Sequence, residues 1–185
     1  MNNSSLTKSP ADLCQYNSAL LVQAAGMVKR LLAEAHADFV YAQAVGPHVR
    51  HIVEHYLALF HAISTASWCV DYDARSRDLR MQSEPSMTLA ALQVVMEKLA
   101  AMAEDQTLTM DKTLTTRLKA GGSGELELTV MTTLGRELLF LASHTVHHYA
   151  LIGHYCRAAG VEMGHDFGKA PATIGFEKAQ AAVSA

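Results

Sequence analysis

Residues 134–159 read LGRELLFLASHTVHHYALIGHYCRAA, and the fold turns on how that stretch is spaced. Leu134, Leu138, Leu141, Thr145, His148, Ile152 and Tyr155 recur at steps of four and three. That is the period of a helix burying one stripe and exposing the rest. Thr132 or Thr133 offers an N-cap hydroxyl and Gly160 a stop. His148 lies on the stripe and His144 one turn earlier in the same sector. His147 falls towards the rim, and His154 farther round towards solvent.

Working outward, Ser9-Pro10-Ala11-Asp12 reads as a helix start, and Leu13, Tyr16, Leu20, Ala24, Met27, Leu31 and Ala35 continue it in helical steps. Gly46-Pro47 opens a second helix running to about Ser67. Residues 71–78, DYDARSRD, are polar and read as a loop. A third helix begins around Ser86 to Thr88 and ends near Ala103, with Leu89, Leu92, Val95, Met96 and Leu99 on its apolar face. Residues 113–116 are strand-like, Gly121-Gly122-Ser123-Gly124 is a turn, and residues 125–130 alternate polar and apolar, a hairpin signature. These segments predict an all-α fold: an antiparallel four-helix bundle with a short β-hairpin excursion before the last long helix. The bundle takes residues 1–165. Residues 166–185, with their Gly and Pro, read as an irregular C-terminal tail holding at most a short helix.

Half the residues are hydrophobic and 18% are charged, which is enough apolar material for a sizeable core. The net charge is −3 and the Lys and Arg residues are scattered, so a nucleic-acid partner is not expected. Cys14, Cys69 and Cys156 lie far apart and are odd in number, which suits a reducing compartment better than a disulfide framework. The first ten residues hold no apolar run of the signal-peptide kind, and apolar stretches elsewhere are broken by His, Arg or Glu. The expectation is a cytoplasmic chain with no membrane partner. A bundle this apolar suggests a homodimer.

Ten histidines are the anomaly. Four fall from His48 to His61 and four from His144 to His154. Imidazoles at i and i+4 point the same way and can share one metal ion, but two ligands from one helix make a weak site. The second helix offers His48, His51 and His55 at spacings of three and four. On the wheel, His48 and His55 lie nearer the apolar sector than His51, and His61 falls on the polar side. Burying several imidazoles without partners is unfavourable, and either a shared ion or a hydrogen-bond network would satisfy them. Two such clusters on facing helices favour the ion.

At three segments the chain resembles the DinB-like family of metal-binding four-helix bundles. They are residues 46–55, GPHVRHIVEH; 71–75, DYDAR; and 143–150, SHTVHHYA. The family site uses one histidine of the second helix and two ligands at i, i+4 in the last. By that resemblance the ligands here are His51, His144 and His148. Some relatives shift the last pair by one histidine to the next; here the residue four beyond His147 is Leu151, which cannot bind a metal. The resemblance implies a divalent ion, Zn or Ni first and Fe or Mn next, and a small-molecule substrate, with a metal-dependent S-transferase acting on a low-molecular-weight thiol as the leading activity. A metal-dependent hydrolase and a non-enzymatic metal-binding stress protein are the alternatives. Arg75 or Arg77 would reach an anionic thiol. Glu54, Glu137 and Asp73 read either as partners of the site or as solvated charges.

Overall fold

The computed structural model describes residues 9–183. In chain order its elements are α1 (Ala11–Glu34), α2 (Tyr41–Ala44), α3 (Gly46–Ser64), β1 (Cys69–Asp71), α4 (Leu79–Ser83), α5 (Pro85–Glu104), β2 (Thr113–Ala120), β3 (Leu126–Thr133), α6 (Leu134–Ala158) and α7 (Pro171–Val183).

Four long helices form the body. α1 and α3 each lie against both α5 and α6. Leu21, Met27, Ile52, Leu59, Leu92, Leu99, Leu138 and Leu141 are fully buried between them. Burial of such side chains contributes roughly 1.5–3 kcal/mol each before the entropy of ordering the chain is subtracted. A polar knot ties the centre. The Tyr56 hydroxyl donates to Asn17 Oδ1 at 2.6 Å and lies 3.3 Å from Thr145 Oγ1. Asn17 Nδ2 donates to the carbonyls of Leu13 and Leu138. Each partner is satisfied, so the knot fixes the register of α1, α3 and α6.

The fold is not the all-α bundle that the helical spacing predicts. A three-stranded mixed sheet belongs to it, in the order β1-β2-β3. β2 and β3 pair antiparallel from Thr113↔Thr133 to Ala120↔Leu126. β1 adds a parallel edge, Cys69↔Thr115 to Asp71↔Arg117. Three residues are too few for alternation to mark a strand, and a parallel partner this distant in sequence gives no local turn signal. Ala66 and Trp68 turn the chain into β1 with φ of 53° and 51°, a left-handed conformation that non-glycine residues seldom adopt. Val70, Leu114 and Thr116 bury one sheet face on the helices.

Three further differences matter. The core stripe of α6 ends on Tyr149, Ile152 and Cys156, while Tyr155 is 38% exposed; the Tyr149 hydroxyl donates to the Leu20 carbonyl across the interface. The tail, read as irregular with at most a short helix, contains α7, thirteen residues long with no buried side chain. Phe167, just before it, stacks on Tyr149 with ring centroids 4.9 Å apart. α5 has the length and apolarity of a membrane span by composition, although Thr88, Leu92, Val95, Leu99 and Met102 are buried within the fold.

Thr133 Oγ1 accepts from the Arg136 amide and caps α6. At the start of α3, a Cβ on Gly46 would lie 2.0 Å from the Gln82 carbonyl oxygen. Only glycine lets α3 sit that close to α4, and α3 carries His48, His51 and His55.

Candidate metal centre

α3 presents His48, His51 and His55 along one face, and α6 presents His144 and His148 opposite. His51 is the hub. Its ring centroid lies 4.2 Å from His55, 5.0 Å from His144 and 4.8 Å from His148. His144 and His148 are 4.6 Å apart. The structure thus gathers the three residues named from sequence, and adds His55 and His48 to them. His61, His147 and His154 are exposed.

Hydrogen bonds sort the five. His148 Nδ1 meets His48 Nδ1 at 3.0 Å. One of these rings donates and the other accepts, and the pairing leaves His148 Nε2 free. His144 Nε2 is buried without a hydrogen-bond partner among the described residues, a situation proteins avoid unless something else satisfies the atom. His55 Nδ1 lies 2.7 Å from the His51 carbonyl and its Nε2 lies 3.3 Å from an Arg75 nitrogen. A carbonyl only accepts and a guanidinium only donates. His55 is therefore the neutral tautomer protonated on Nδ1. The closest convergence of ligand atoms, within 4.8 Å of one another, is His51, His55 and His144. Geometry alone would choose His55 over His148, but both nitrogens of His55 are engaged while His148 keeps one free. Geometry and hydrogen bonding thus point to different third ligands, His55 and His148.

Burial keeps these rings neutral, as ligands must be. It is the first cause in every case, ahead of repulsion between the rings. His51 and His148 are depressed to about 3 and His55 to about 4, and His48 and His144 move in the same direction. Neutral imidazole nitrogens, one of them buried and unpartnered, fit a divalent transition ion.

The sign of the pH effect follows. Below the ordinary histidine value of 6.5 the unfolded chain takes up protons that the folded chain refuses. Stability is then fully present above that value and declines as pH falls towards 3–4. Chelator-treated protein should melt several degrees lower at pH 5 than at pH 7.5. An unchanged melting temperature would mean that these rings are not held neutral by the fold.

The cluster opens into a cleft of about 500 Å³ bounded by His51, His55, Tyr72, Arg75, Lys119, Arg136 and Phe140. The sheet supplies its far wall through Thr116, Leu118 and Val130. Arg75, Lys119 and Arg136 face Asp73 as the one acid of that lining. The carboxylates nearby are engaged. Glu54 is 3% exposed, accepts from the Asp78 amide at 3.0 Å, and lies 3.7 Å from Arg75 and 4.0 Å from Arg50. Glu137 is fully buried and accepts from Tyr72, Thr132 and Arg136. Asp73 accepts from the Lys119 amide. Tyr72 stacks on His55, centroids 5.2 Å apart. Of these, Lys119 and the sheet wall are not legible from the sequence, because they reach the cleft through β-pairing that spacing alone does not reveal, and Arg136 enters it from the first turn of α6.

Elsewhere, His165, Asp166 and Glu177 also converge. Lys169 Nζ already sits among them, 2.6 Å from Glu177 and 3.0 Å from His165 Nε2, so a cation is in place. Burial pushes the Cys14 and Cys156 thiols up to about 11, which makes them inert.

No family model matches the chain, and no solved structure matches it. Among curated proteins it is similar to FK506-binding protein 5 of Rhizopus delemar, at 26% identity over 117 residues. That stretch covers 63% of this chain and 30% of the fungal protein, so the chain spans less than a third of that relative.

Proposed function

We propose that the chain is a DinB-like, cytoplasmic metal-dependent enzyme that takes a small anionic thiol as substrate and transfers it to an electrophile. His51, His144 and His148 hold one divalent ion. The observation that carries the reading is the buried Nε2 of His144, which has no hydrogen-bond partner among the described residues and lies beside His51, itself a wall of a cleft lined by three cations. An ion bound there supplies Lewis acidity and favours the thiolate over the thiol at an open position.

The chain's own residues do the rest. His48 holds the His148 ring through the Nδ1 pair, which leaves Nε2 available for ligation. Arg136, 61% exposed at its side chain, and Lys119 are placed to bind the substrate's carboxylates. Phe140 stacks on His144 with centroids 5.5 Å apart, which shields that side of the cluster from water. A hydrolase on this site would need a carboxylate free to take a proton from water. Glu54, Glu137 and Asp73 are all committed to donors, which weighs against it. FK506 binding is what the Rhizopus protein's name says of that protein and forms no part of this proposal.

Untagged protein purified without chelator should carry about one divalent ion per chain by elemental analysis. Glutathione, used as a probe thiol, should bind the loaded protein and not the chelator-stripped one by calorimetry. Equal or absent binding in the two forms would end the thiol reading.

A further inference from the structure

The closest convergence of ligand atoms contains a residue that hydrogen bonding withholds. His51, His55 and His144 bring ligand atoms within 4.8 Å of one another, yet His55 Nε2 accepts from Arg75 at 3.3 Å. Its Nδ1 is committed to the His51 carbonyl at 2.7 Å. One lone pair cannot serve a guanidinium and a metal ion together. A permanent positive charge beside that nitrogen also repels a divalent cation, strongly where water is scarce.

Arg75 is held there for reasons of its own. Its Nε lies 3.7 Å from Glu54 Oε2 and one terminal nitrogen donates to the Tyr72 carbonyl. Its Nε is buried without a hydrogen-bond partner among the described residues, so charge attraction to Glu54 and the Nη1 contacts with Tyr72 and His55 set its position. Without the guanidinium, His55 stands beside His51 and His144 with a free nitrogen. Four imidazoles would then be available. Four protein ligands make a closed, structural type of site, and three leave a position for chemistry.

We propose that Arg75 is a positioning residue that occupies the Nε2 lone pair of His55, keeps that ring from becoming a fourth ligand, and so holds one coordination position open to the cleft. This rests on the metal reading above and adds what separates an enzyme site from a storage site in this chain.

Cobalt(II) tests it, because its visible spectrum reports coordination and its open positions bind azide. The native chain loaded with cobalt should change spectrum on adding azide. Arg75→Met should give a stronger tetrahedral spectrum that azide leaves unchanged, with metal affinity tightened by about tenfold or more in chelator competition. Arg75→Met combined with His55→Ala should restore the azide response and the native affinity. His55→Ala alone should match the native chain in both measurements. The inference is overturned if Arg75→Met keeps the native spectrum, azide response and affinity. It is also overturned if His55→Ala alone weakens binding by about tenfold, and this second arm decides the matter should Arg75→Met not fold. A native chain that takes up no cobalt overturns the metal reading itself, and is told apart by failing before any variant is compared.

Discussion

His51→Ala is expected to lower metal affinity by about two orders of magnitude or more, the largest effect of any single histidine replacement. A fully formed zinc site is worth roughly 10–16 kcal/mol across its ligands, so losing one ligand of three removes a share of at least about 3 kcal/mol, and each 1.4 kcal/mol is tenfold. His51 stands out because its ring touches His55, His144 and His148, so its removal also takes away the packing that aligns the others. His48→Ala should cost less, about tenfold, since His48 acts on His148 through one hydrogen bond. His147→Ala and His61→Ala, both exposed, should change nothing. Chelator competition on the purified variants orders the four. Equal loss from His51→Ala and His147→Ala would mean that binding is adventitious and spread over the histidine-rich helices.

The ranking of these residues exposes what spacing can and cannot say. Helical period places His48, His51 and His55 on one face of α3 correctly, because the period is a property of the backbone alone. It ranks His51 last, since the wheel measures distance from the apolar centre. The structure leaves His51 less buried than His55, as the wheel implies. Yet His51 is the hub, because being central to a cluster depends on what the opposite helix presents. The resemblance to the DinB-like family names His51, His144 and His148 without that geometry, and says nothing of the Arg75–His55 contact. The sheet is the other gap. The β2–β3 hairpin is legible from its glycine turn and alternation, while its role as a cleft wall depends on β1, a strand of three residues with no periodic signature. Glu54 and Glu137 illustrate the same limit. A glutamate on a helix usually lies in solvent, and only the tertiary donors around these two explain their burial.

Glu137→Ala should destabilise the protein by about 3–5 kcal/mol, the largest stability loss expected from any residue around the cleft. The Glu137 side chain is completely buried. One oxygen accepts from the Tyr72 hydroxyl at 2.6 Å; the other accepts from Thr132 at 2.6 Å and Arg136 at 2.9 Å. It lies in the first turn of α6, where the helix dipole favours a negative charge. Alanine leaves two hydroxyls without their acceptor, each a loss of about 1–3 kcal/mol where water cannot reach, and opens a void. For a chain of this length the melting temperature should fall by about 10 °C or more. The pair with Arg136 is not the source, because that side chain is 61% exposed and surface ion pairs contribute roughly 0–1 kcal/mol; Arg136→Ala should leave the melting temperature nearly unchanged. Glu137→Gln, which keeps the volume and one accepting oxygen, should lose roughly half as much as alanine. Tyr72 leans on His55, so freeing its hydroxyl also frees the wall against which that ring stacks. Urea unfolding of the three variants separates the contributions. A Glu137→Ala loss below about 1 kcal/mol would show that Tyr72, and with it the loop bearing Arg75, is anchored by something other than this carboxylate.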